Sequence, residues 1–175
     1  MINMTSKSWK SKQFDVIGND HLSWMTSADE LLAVARTLKR QREATNVSDI
    51  KNGDLFPDEG RGGAVERMLQ GFAVECLLKG LWVKKGHKIV SRGKHLGIPG
   101  FKGLHDLPKL AKAVGFSITD EQKDLLKRLT FFVKVAGRYP IPTREGDGSG
   151  VLWKSPADDQ VLKKIVTEMM GKLTA

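Results

Sequence analysis

"AVERMLQGFAVECLLKGLWVKK", residues 64–85, decides the fold class. Val65, Met68, Leu69, Phe72, Ala73 and Cys76 recur at helical spacing and predict one apolar face. From Phe72 to Trp82 the stretch is apolar nearly all round, which is expected of a helix with neighbours on several sides. It is therefore read as the central helix. Two charges interrupt it. Glu75 and Lys79 project within roughly 60° of Phe72 at about 100° per residue, on the inward side. They also form an acid-to-base pair at i, i+4, the favourable order.

Working outward, the chain predicts further helices. Ser27 and Glu30 have capping-box spacing and open a helix whose stripe is Ala28, Leu31, Leu32, Ala35 and Leu38. Asp106 suits the N-cap of a short helix closed by Gly115. Thr119 and Gln122 form a second capping box, ahead of Leu125, Leu126, Leu129, Phe132, Val133 and Ala136. Ser155 as N-cap and Pro156 at the first helical position open the last helix. Its apolar face is Val161, Leu162, Ile165, Val166, Met169 and Leu173. The expectation is an all-α protein, an antiparallel bundle of four long helices plus one short helix. Residues 1–26 read as an irregular N-terminal arm pinned by Trp9, Phe14 and Trp24, and residues 27–175 as a single domain. Residues 84–103 form a basic, Gly-rich loop with room for a short strand at Lys88–Ser91.

Composition places the chain among soluble globular proteins: 175 residues, 40% hydrophobic and 28% charged. No apolar run approaches the roughly 20 residues of a membrane span, and the N-terminal residues lack the apolar core of a secretory signal. The single cysteine, Cys76, lies in an apolar helix and reads as buried. A cytoplasmic protein with no membrane contact is the expectation. The four histidines lack metal-ligand spacing, and the glycine clusters at 60–63 and 146–150 lack the strand–glycine–helix context of a phosphate loop. No metal or cofactor is expected.

The net charge of +9 is uneven. Lys84, Lys85, Lys88, Arg92, Lys94 and Lys102 fall within 84–102 without an acid, and Lys7, Lys10 and Lys12 do so at the N-terminus. Clusters of this kind suit a polyanionic partner, or serve as solubility charge on loops. Phe101 adds a ring able to stack on a base. Further on, "FFVKVAGRYPIPT", residues 131–143, ends a helix at Gly137 and places Arg138 and Tyr139 at a corner stiffened by Pro140 and Pro142. Arg138 can turn inward to Glu75 as a tether or outward to the basic loop as part of a site.

Together "AVECLLKGLWVKKG", "GLHDLPKL" and "AGRYP" resemble a bacterial HEPN (higher eukaryotes and prokaryotes nucleotide-binding) domain over roughly residues 27–173. The resemblance implies a helical bundle, frequent homodimers, and roles in RNA cleavage, nucleotide binding, toxin–antitoxin pairs and phage defence. The matching positions are Glu75, Lys79, His105, Asp106, Arg138 and Tyr139. Ribonuclease members resemble one another in an arginine followed after four to six residues by a histidine. Here Arg92 precedes His95 by only two intervening residues, and no histidine follows Arg138. The resemblance then implies an RNA- or nucleotide-binding module without catalysis, its candidate contacts being Arg138, Tyr139 and the basic loop. The alternatives are a ribonuclease of unusual composition using His105 and Arg138, and a purely structural domain with a cognate protein partner.

Overall fold

The computed structural model describes residues 6–44, 62–101, 105–136 and 155–175. Among them lie six α-helices: α1 (Ser6–Gly18), α2 (His21–Ala44), α3 (Gly63–Lys84), α4 (Leu107–Ala113), α5 (Asp120–Phe131) and α6 (Asp158–Thr174). Strands β1 (Val90–Ser91) and β2 (Lys94–His95) form a small antiparallel hairpin. The protein is mostly helical, in agreement with the all-α expectation. No helix is long and apolar enough to cross a membrane among the described residues.

Helix α3 is central, touching α2, α4, α5 and α6. Ala73, Val74, Leu77, Leu78 and Leu81 are buried along it and meet Leu32 of α2, Leu110 of α4, Leu125 and Leu129 of α5, and Ile165 and Met169 of α6. The predicted face is rotated at the helix start. Val65 is 40% exposed, while Glu66, Arg67 and Gln70 are buried. Those three satisfy one another and their neighbours, so the usual cost of burying them is offset.

Local signals place several helix ends. The Asp106 carboxylate accepts from the Lys109 amide, and the Thr119–Gln122 capping box is fully formed. At α6 the helix begins later than expected. Ser155 Oγ accepts from Ala157 N–H and Asp158 accepts from Ser155 N–H, so the serine closes a turn ahead of Asp158 instead of capping the helix directly. Beyond α5 the backbone widens into a π-helical turn, Phe132–Ala136, which packs against α3 at Gly71. A side chain at Gly71 would fall on the Val133 methyl and 3.2 Å from the Leu129 carbonyl oxygen. This position therefore needs glycine for close approach.

The expected irregular arm is largely helical. α1 spans Ser6–Gly18, and α2 begins at His21, not Ser27. Asp20 is the reason: its carboxylate accepts from the amides of Leu22 and Ser23 and from the Ser23 hydroxyl. Hydrogen bonding from Ser23 holds that carboxyl below its ordinary value. Ser27 sits inside the helix and donates to the Ser23 carbonyl.

Candidate functional site

The basic loop is a folded device. Val90 pairs with His95 and Ser91 with Lys94, and the connecting residues Arg92 and Gly93 both have positive φ, 53° and 71°. Two positive φ values in a two-residue turn match the right-handed twist of a hairpin. The turn is gripped by α1. Asp15 accepts from the amides of Arg92 (2.6 Å) and Gly93 (2.8 Å). One turn along, Asn19 accepts from the amides of Ile89 and Val90 and donates to the Val90 carbonyl. These contacts span 70 to 78 residues of sequence, so no local pattern announces them.

The six cations of this segment divide into three groups. Lys84 Nζ donates to the Leu173 carbonyl at the end of α6, and Lys85 Nζ to the Val114 carbonyl at the end of α4. Both complement carbonyls that a helix end leaves unsatisfied. Lys88, Arg92 and Lys94 are exposed and form no ion pair among the described residues. Lys102, like Arg138 and Tyr139, lies outside the described residues. Phe101 is half-buried. It packs against the core, its amide bonded to the Ile98 carbonyl.

Beneath the hairpin, Glu75 is held from two sides. Lys79 Nζ lies 2.7 Å from Oε1, and His105 Nδ1 lies 2.7 Å from Oε2. The Glu75 side chain is 8% exposed, against 22% for Lys79 and 31% for His105. Burial pushes the carboxyl up, but the charge and hydrogen bond of Lys79, joined by His105, outweigh it and leave Glu75 below its ordinary value of 4.5. An ionised carboxylate only accepts, so His105 Nδ1 carries the proton, and Nε2 is the nitrogen left to act elsewhere.

The fold fixes this imidazole. His105 immediately precedes the Asp106 cap, the Leu107 amide donates to Thr130 Oγ1 of α5, and Phe72 meets the ring edge-on at 5.8 Å. Lys79 also sits 5.4 Å from the Trp24 ring, a cation–π contact. The sequence motifs singled out Glu75, Lys79 and His105, and the structure brings them together. The partner on Glu75 is His105, a residue that sequence reasoning paired with Arg138.

Two further side chains stand near Glu75. His95 pairs with Val90 across the hairpin and is itself exposed, yet it lies close enough to Lys79 and Glu75 to feel their charges. Partial desolvation and the Lys79 charge hold it below its ordinary value of 6.5, with Glu75 opposing. Cys76, next to Glu75, is half-buried where the sequence reading had it buried, and desolvation pushes its thiol up to about 11, so the protonated form prevails at neutral pH. Among the described residues no three His, Cys, Asp or Glu side chains converge closely enough to hold a metal ion.

A second polar cluster lies at the other end of α3. Arg42 donates to Glu66 Oε2 through Nε and Nη2 at 3.3 and 3.0 Å, and Gln70 donates to Glu66 Oε1. Arg67 donates to Gln70 and faces Asp159 at 3.6 Å, and Lys39 donates to Asp159 at 2.6 Å. Arg128 pairs with buried Asp158. Sequence reasoning made no reading of Glu66, Arg67 and Gln70, whose Glu-Arg-x-x-Gln spacing is the one local signal of this cluster.

No protein-family model matches the chain, and no curated protein or solved structure does either.

Proposed function

We infer that the chain is an RNA- or nucleotide-binding helical module of the HEPN kind, with α2, α3, α5 and α6 as an antiparallel bundle and α4 as the short helix. Phosphates contact the hairpin through Lys88, Arg92 and Lys94. The observation that carries this reading is the hairpin itself: exposed cations free of ion pairs among the described residues, on a turn held by Asp15 and Asn19. A preordered cationic turn loses little freedom on binding. Lys84 and Lys85 hold helix ends in this reading and are not the main phosphate contacts.

The expected result is salt-sensitive binding of labelled single-stranded RNA in a fluorescence-anisotropy titration. Combining Lys88→Ala, Lys94→Ala and Arg92→Asn should lower the slope of log affinity against log salt by about 2. Each phosphate contact on a single strand contributes roughly 0.7. Asparagine is chosen at position 92 because it tolerates the positive φ found there. An affinity indifferent to salt and to these substitutions would sink the reading.

The 2.7 Å bond between Glu75 and His105 favours a second reading, a ribonuclease. A carboxylate that fixes the imidazole tautomer leaves Nε2 to take a proton from a ribose 2′-hydroxyl or, once charged, to return one to the leaving oxygen. Lys79 adds positive charge at the same carboxylate. Cellular RNA incubated with the protein would then be cleaved, and His105→Ala would abolish the cleavage. Cleavage that survives the substitution clears His105 of the role.

A further inference from the structure

Trp9 and Phe14, expected to pin an irregular arm to the body, stand outside on a helix instead, 57 and 45% exposed. Val16 and Ile17 are 69 and 52% exposed. The inner side of α1 is small or polar and already engaged. Ser11 lies next to Gly93, Asp15 holds the turn amides, and a side chain added at Gly18 would fall on the Val90 methyls. The helix is therefore docked with an apolar stripe turned to solvent, the reverse of the usual arrangement. An exposed stripe of this kind marks a contact surface.

Both borders of the stripe are cationic. At about 100° per residue, Val16 lies about 20° to one side of Trp9 and Lys12 about 60° to that side. On the other side Ile17 lies at about 80° and Lys10 at about 100°. Both lysines are exposed and form no ion pair among the described residues. The one carboxylate of α1, Asp15, accepts from the hairpin amides on the opposite side.

We propose that α1 rests on an anionic lipid surface, lying in the headgroup layer without crossing it. An apolar stripe bordered by lysines is the arrangement that such a layer accepts: the aliphatic groups sink below the headgroups while the long lysine stems carry their charge back up to the phosphates. An indole at the edge of the stripe suits the same boundary. RNA would match the lysines but offers nothing to aliphatic Val16 and Ile17. A folded protein would have to supply acids at both borders of the stripe, whereas a fluid anionic layer supplies negative charge on every side. The expectation of no membrane contact rested on the lack of a spanning segment, and a helix lying on the surface needs none. The proposal stands apart from the RNA-binding reading, which uses the hairpin.

The test is co-sedimentation of the full chain, freed of nucleic acid, with vesicles of phosphatidylcholine alone or with about one third phosphatidylserine. Binding to the anionic vesicles only, weakening as salt rises, is expected. Lys10→Ala and Lys12→Ala should each lower the partition coefficient by about fivefold. Ile17→Glu, which puts a charge into the apolar layer, should lower it by about tenfold or more. All three positions are exposed, so circular dichroism should show the fold intact. These variants should leave RNA affinity unchanged, and combining Lys88→Ala, Arg92→Asn and Lys94→Ala should lower RNA affinity while Ile17-dependent vesicle binding persists. No sedimentation with anionic vesicles, equal sedimentation with neutral ones, or binding that the three α1 substitutions leave unchanged overturns the proposal. So does a stable dimer that Ile17→Glu dissociates, since the stripe would then be covered by a second copy.

Discussion

Glu66→Ala should lower the stability of the protein by about 3–5 kcal/mol, the range found when one member of a buried ion pair is removed. For a domain of this size that corresponds to a melting temperature lower by roughly 10 °C. Glu66 is 1% exposed and accepts from Arg42 at one oxygen and from Gln70 at the other. Its removal leaves a guanidinium that is 18% exposed facing an uncharged gap, and it releases the Gln70 amide that positions Arg67. Desolvation of the remaining charge dominates, because water reaches this end of α3 poorly. Glu66→Gln keeps the shape and one acceptor oxygen for Arg42, although its NH2 then faces the Gln70 amide, so it should cost less than Glu66→Ala. In a double-mutant cycle, adding Arg42→Ala to Glu66→Ala should cost less than the sum of the two, since the second change removes the stranded charge. Thermal or urea unfolding followed by circular dichroism measures all four variants. Additive losses would mean that the pair is not coupled, and that Glu66 acts through packing alone.

The same cluster shows where sequence reasoning stops. Apolar periodicity located α3 to within a residue or so, because Leu77, Leu78 and Leu81 leave no other solution. It misplaced the face at residues 65–70, because Glu66, Arg67 and Gln70, each taken alone, are surface residue types. Only partners on α2 and α6, up to 120 residues apart in the case of Lys39 and Asp159, make their burial tolerable. The capping signals behaved similarly. Asp106 and Thr119 were legible because donor and acceptor lie three residues apart. The Ser27–Glu30 match was equally local and misleading, since Asp20 had already opened the helix about two turns earlier.

The hairpin and the Glu75 cluster were partly legible for a related reason. The charge excess of 84–102 was visible, but its division into helix-capping lysines and free cations depends on where α4 and α6 end. The i, i+4 geometry of Glu75 and Lys79 is a property of one helix. His105 reaches the same carboxylate only because Thr130 and the Asp106 cap hold the start of α4 over α3.

Glu75→Gln should separate tether from site, and its signature lies in the pH dependence. The folded-state carboxyl lies below its ordinary value of 4.5, so the carboxylate contributes stability that is complete above about pH 5. That contribution fades as pH falls through the depressed folded-state value. The difference in unfolding free energy between wild type and Glu75→Gln should therefore be flat from neutrality to about pH 5 and shrink toward zero in stronger acid. At neutral pH its size should be about 2 kcal/mol, typical of hydrogen bonds to a charged group and moderated by the partial exposure of Lys79 and His105. A difference that stays constant into strong acid would show that the charge of Glu75 does not matter. Stability alone does not distinguish a structural lock from a functional one, so His105→Ala supplies the second axis. A tether predicts that His105→Ala loses stability comparable to Glu75→Gln, with RNA affinity and RNA integrity unchanged once folding is corrected for. A site predicts the reverse order. The solvent-reaching imidazole would be nearly dispensable for folding, because Lys79 still holds Glu75 from the other oxygen, while binding or cleavage of RNA would fall.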